Sequence, residues 1–143
     1  MPPPTKPPIG LQLSRISRAI AREFDAALAG VGSSMPIWLI MISLKMKKLA
    51  NQQELANAVG IRGATLTHHL TAMEADGLIT RHRDDANRRA QQVTLTEAGE
   101  HEFRRVRTTV TAFDRRLRRG LTATELDAFT DVLNRLHANA IDQ

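Results

Sequence analysis

Two groups of residues have types and spacing suited to chemistry: the arginines Arg81, Arg83, Arg88 and Arg89, and ahead of them Arg62, Ala64, Thr65, Thr67, His68 and Thr71. The chemistry they suit is non-covalent, because guanidinium groups neutralise and hydrogen-bond phosphates while short side chains can approach base edges. His68 and His69, with His82, His101 and His137, raise the question of a metal. Adjacent histidines on a helix point about 100° apart, and no cysteine or carboxylate pattern completes a ligand set, so neither a metal nor another cofactor is expected. An acid–base pair of His68 with Glu74 or Asp76 has no nucleophile motif, phosphate loop or metal spacing beside it, and an enzyme is not expected. Cysteine is absent, which excludes disulfides and thiol redox sensing and is compatible with a reducing cytoplasm.

The chain of 143 residues is 42% hydrophobic, enough for one domain with a core. Lysine and arginine number 20 against 15 acidic residues, a net +5 that favours a polyanionic partner, either nucleic acid or an anionic membrane surface. Met1 to Pro8 is proline-rich with one lysine and no apolar core, so it reads as a disordered arm and not as a secretory signal. The most apolar run, Ile37 to Leu44, is far short of the roughly 20 residues that span a bilayer and reads as a core helix.

These residues need elements to position them. Leu13, Ile16, Ile20, Phe24 and Ala27 recur at helical spacing from Ile9 to Gly30 or Gly32. Pro36 suits the first turn of a second helix that is apolar almost all round and runs to Met46. Asn51 with Glu54 forms a capping pattern for a short helix ended by Gly60, and Arg62 to Asp76 repeats apolar residues at Leu66, Leu70 and Met73 before Gly77. Two short helices around a tight turn make a helix-turn-helix candidate. Leu78 to Arg83 and Gln91 to Leu95 read as strands, with the polar stretch 84–90 as the tip of a basic hairpin. Thr96 caps a long helix that ends at Gly120, and Thr122 with Glu125 caps a last one striped by Leu126, Phe129, Leu133 and Leu136.

The ordered run Gln53-Glu54-Leu55-Ala56, Gly60, Thr65-Leu66-Thr67, Leu70, Met73-Glu74, Gly77-Leu78-Ile79, Arg81, Asn87-Arg88-Arg89 and Leu95-Thr96-Glu97-Ala98-Gly99 resembles the signature of MarR-type regulators. The resemblance implies a mainly α fold with a small β-hairpin wing: a winged helix-turn-helix flanked by N- and C-terminal dimerisation helices. Residues 9–143 would then form one domain, with 36–96 as the DNA-binding lobe and 9–32 and 97–143 as dimerisation helices. It further implies a cytoplasmic, nucleoid-associated homodimer that binds a pseudo-palindromic operator in double-stranded DNA as a repressor. At Asn87 the chain departs from the family, which usually carries an aspartate two residues before the wing arginine, here Arg89; an amide can hydrogen-bond there but cannot form an ion pair.

On a helical wheel Leu66, Leu70 and Met73 point inward, so Ala64, Thr67, His68 and Thr71 face the groove with Arg62 and Thr65 at the leading edge. The plain alternative is a solvated helix face. Arg83, Arg88 and Arg89 are the wing residues expected to touch DNA, whereas the seven arginines from Arg104 to Arg119 read as a solvated face with intersubunit ion pairs. Phe24, Met35, Trp38, Met41 and His69 lie where relatives bind small, often phenolic, ligands, and are candidates for an effector pocket; bulky side chains at helical spacing equally describe plain core. The competing reading is a helical adaptor that binds protein, with the basic wing serving solubility; it lacks the steep salt dependence of phosphate neutralisation.

Overall fold

A serine and a proline start the most buried helix of the molecule. Ser34 accepts from the Trp38 amide through its carbonyl at 2.9 Å and from the Ile37 amide through its hydroxyl at 3.4 Å. Pro36, the second residue of that helix, lacks the N–H that a first turn leaves unused. The computed structural model describes residues 1–3, 5–46, 50–83 and 91–142. In chain order the elements are α1 (Ile9–Ala29), α2 (Met35–Met46), β1 (Ala50–Asn51), α3 (Gln52–Val59), α4 (Gly63–Ala75), β2 (Ile79–Arg83), β3 (Gln91–Leu95), α5 (Glu97–Leu117) and α6 (Ala123–Ile141). The fold is thus mainly helical with a small antiparallel hairpin, the winged-helix arrangement expected from the sequence.

The chain divides into two compact units, residues 1–111 and 112–143, and the division falls inside α5. In the first unit the core is built from every helix and from β2 and β3. Ile40 and Met41 of α2, Leu55 of α3, Leu66 and Leu70 of α4 and Val93 of β3 are essentially solvent-free, and no polar or charged residue is buried with them among the described residues. Each such side chain contributes about 1.5–3 kcal/mol by leaving water.

Strand β3 is central in a sheet of order β1-β3-β2. The β2–β3 register pairs Ile79 with Leu95 and Arg83 with Gln91, so the seven-residue tip 84–90 lies outside the described residues. β1 was not anticipated: it pairs Ala50 with Val93 and Asn51 with Gln92. A two-residue strand has no alternation to read, and its existence depends on a partner some forty positions away in the chain. Leu78, expected to open β2, instead closes α4. Its amide donates to Met73 O at 2.9 Å and that of Gly77 to Glu74 O at 3.0 Å, a Schellman closure that needs the left-handed Gly77, at φ +75°.

In the second unit the end of α5 leads through Gly120 into α6, whose Thr122 and Glu125 make a reciprocal capping box. No residue of α6 is buried; Leu126, Leu133 and Leu136 are half-covered and Phe129 is 55% exposed.

Candidate nucleic-acid interface

Local rules set the geometry of α3 and α4. Asn51 accepts the Glu54 amide through Oδ1 at 2.8 Å, and Gly60, at φ +73°, ends α3 in the left-handed conformation. Arg62 then turns the chain in an extended conformation into α4. Because Leu66, Leu70 and Met73 insert into the core, Arg62, Ala64, Thr65, Thr67, His68 and Thr71 all lie exposed on the remaining surface of the helix. Two of the hydroxyls are held from neighbouring elements. Gln52 Nε2 on α3 donates to Thr67 Oγ1 at 2.6 Å, and Arg81 Nη2 on β2 reaches Thr71 Oγ1 at 3.4 Å.

Arg81 is not a free wing cation. Its guanidinium is ion-paired with Glu74 Oε1 at 3.0 Å and its side chain is only 17% exposed, so it binds the hairpin to α4. The hydrogen bond from Arg81, helped by its charge, holds the Glu74 carboxyl below its ordinary value. Arg83 is exposed at the end of β2, while Asn87, Arg88 and Arg89 lie outside the described residues. At the base of the hairpin, Thr96 Oγ1 donates to Gly77 O at 2.5 Å and accepts the Gly99 amide at 3.0 Å. The first turn of α5 is thereby fastened to the turn between α4 and β2.

The effector candidates fall into two places. Trp38 and Met41 belong to the core, with Phe24 and Met35 packed against it, and Trp38 stacks on Phe103 at 5.3 Å between centroids and 6° between planes. Lys45 and Arg107 lie 5.6 and 5.7 Å from the centroid of the same Phe103 ring. His69 is half-buried on α4, its ring edge-on to His68 at 5.8 Å. A cavity of about 490 Å³ is lined by Ala112, Arg115, Arg116, Arg118 and Arg119 of the second unit and by none of these five candidates. Along α5 and just past its end, the arginines read as intersubunit partners include ones that pair within the chain: Arg105 with Glu102 at 2.6 Å and Arg118 with Asp114 at 2.7 Å. Arg105 also donates to Val31 O at 2.6 Å, and its hydrogen bond lowers the Glu102 carboxyl. Among the described residues, no group of three or more histidines and carboxylates is placed to hold a metal, and no helix is long and apolar enough to cross a membrane.

Gln52 and the Arg81–Glu74 link were not singled out from sequence. Arg81 and Glu74 sit inside the quoted motif, but their pairing is made across a turn and is invisible to helical spacing.

Residues 34–90 match the family model described as MarR family. A MarR-family transcriptional regulator from Silicibacter pomeroyi is 27% identical, the match covering 90% of this chain and 86% of that one with a TM-score of 0.72. The transcriptional repressor CouR, solved bound to a 23-mer DNA duplex, is 25% identical over 91% of this chain and 92% of that one, with a TM-score of 0.81. Bordetella bronchiseptica BpsR, whose DNA binding is regulated by 6-hydroxynicotinic acid, shares the fold at 19% identity, 96% and 98% coverage and a TM-score of 0.81. Residues 34–90 thus match the MarR family, and the chain shares the winged-helix fold of these MarR-type regulators along nearly its whole length.

Proposed function

We propose that this protein is a homodimeric transcriptional regulator that binds a pseudo-palindromic duplex operator as a repressor and is released by a small aromatic ligand. The observation that carries the reading is the exposed face of α4, Arg62 to Thr71, braced by Gln52 on one side and by Arg81 of the hairpin on the other. A helix with small, solvent-facing side chains beside a hairpin can enter a major groove, with Arg83, Arg88 and Arg89 reaching phosphates or the adjacent minor groove. The net charge of +5 favours that encounter.

Dimerisation follows from apolar surface that one copy leaves in water. Ile9, Ile16 and Ile20 on α1 are 60, 51 and 38% exposed, and Leu121 and Phe129 beside and on α6 are 47 and 55% exposed. A second copy covers these faces, with residues 9–32 and 97–143 serving as dimerisation helices. For release, a ligand displacing the Trp38–Phe103 stack, in the core shared with Phe24, Met35 and Met41, or one bound at His69 on α4, shifts the spacing of the two α4 helices by its differential affinity for the two states. The DNA-bound CouR and the ligand-regulated BpsR support the corresponding steps by analogy.

The test is capture of genomic fragments on the purified protein, followed by affinity measurements on the recovered sites. Binding should weaken steeply with salt, log K falling by about 0.9 per phosphate neutralised for each unit of log salt. Recovery of no preferred fragment, or affinity indifferent to salt, overturns the reading. Trp38, the one tryptophan of the chain, reports effector binding by fluorescence.

A further inference from the structure

The Thr67 hydroxyl on the exposed face of α4 has one proton, and it is in use. Thr67 Oγ1 donates to Gly63 O, one turn back, at 2.9 Å. The group facing that oxygen from α3 must therefore be a donor, and Gln52 Nε2 approaches it at 2.6 Å. With its proton on Gly63 and one lone pair taken by Gln52, Thr67 has only an acceptor and a methyl group left to offer. An unassisted threonine in a helix divides between two side-chain rotamers. Gln52 favours the one in which Oγ1 lies between the α3 amide and the Gly63 carbonyl.

We propose that Gln52 is a specificity-determining residue that acts through Thr67, making the α4 surface at that point acceptor-and-methyl only. The inference rests on the DNA-binding reading above. In the major groove guanine presents two acceptors, O6 and N7, whereas adenine and cytosine present an amino group and thymine a methyl. An acceptor-only Thr67 repels guanine on the strand it faces and accepts an A·T pair, its methyl against that of thymine. Without Gln52 the hydroxyl can change rotamer and turn its proton toward guanine, and the discrimination disappears.

The experiment is selection from a randomised duplex library with the wild-type protein, Gln52→Ala, Thr67→Val and the double variant, all matched by circular dichroism and thermal midpoint. Wild type should deplete guanine at one symmetry-related position per half-site, and Gln52→Ala should relax that depletion by about fivefold to tenfold with other positions unchanged. Thr67→Val, which keeps the methyl and removes the oxygen, should make the Gln52 substitution silent at that position. A Gln52→Ala preference identical to wild type overturns the inference. So does uniform weakening at all positions, which is the mark of a brace between α3 and α4 and nothing more. A wild-type protein that enriches no duplex overturns the DNA-binding reading and this inference together.

Discussion

Gly99 is the third residue of α5, and replacing a helical glycine by alanine ordinarily stabilises by about 0.5–1 kcal/mol. Here the sign should reverse. A Cβ on Gly99 would collide with the Leu78 carbonyl oxygen and stand 3.0 Å from both Leu78 C and Leu95 Cδ2. The carbonyl cannot simply recede, because it accepts the Thr96 amide at 3.0 Å, and the preceding carbonyl, Gly77 O, is bonded by the Thr96 hydroxyl. Relief means either lifting the first turn of α5 or breaking the Thr96–Leu78 bond. Overpacking of this kind costs about 1–3 kcal/mol and the lost hydrogen bond about 0.5–1.5, which outweigh the propensity gain and leave Gly99→Ala destabilised by about 2 kcal/mol. Urea unfolding should be compared at one fixed protein concentration, since the stability of the proposed dimer would depend on it. Gly10→Ala in α1, where nothing lies within 4 Å of the added Cβ, is the control and should be neutral or stabilising. If Gly99→Ala unfolds at higher urea than wild type, the close approach of α5 to the α4–β2 turn is refuted.

The ion pair between Arg81 and Glu74 should show in titration. Arg81 holds Glu74, and Arg105 holds Glu102, below the ordinary value of about 4.5, so their stabilisation is present above that pH and is lost as pH falls through the lower folded values. In side-chain carboxyl NMR, Arg81→Met should raise the Glu74 midpoint and leave that of Glu102 in place; an unmoved Glu74 would refute the link between hairpin and α4. Arg89→Ala should weaken duplex binding by about 1–3 kcal/mol and reduce the salt slope by about 1 while leaving helix content unchanged, and an unaltered affinity would put the wing off the DNA. Phe129→Glu should yield a monomer at micromolar concentration by light scattering, because a charge replaces the 55% exposed ring on the α6 stripe; a persistent dimer excludes that stripe from the interface.

What the sequence determined by itself is what short-range physics determines. Asn51, Gly60, Gly77, Thr96 and the Thr122–Glu125 pair mark helix ends because capping and left-handed closure involve neighbours within a few residues. The spacing of Leu66, Leu70 and Met73 was enough to name the face of α4 left in water, since burying one stripe of a helix exposes the opposite one. Periodicity reached no further than single elements. Trp38, readable as core or as pocket wall, meets Phe103 only when α2 and α5 come together 65 positions apart. β1 exists only because Val93 and Gln92 offer it an edge. Arg81, one of a run of basic residues, became a brace and not a free cation because the turn at Gly77 brings β2 back against α4 and sets Glu74 within hydrogen-bonding reach. The tertiary structure alone decided that Arg81 pairs with Glu74, because ion pairing depends on distances in space that residue type and spacing do not carry.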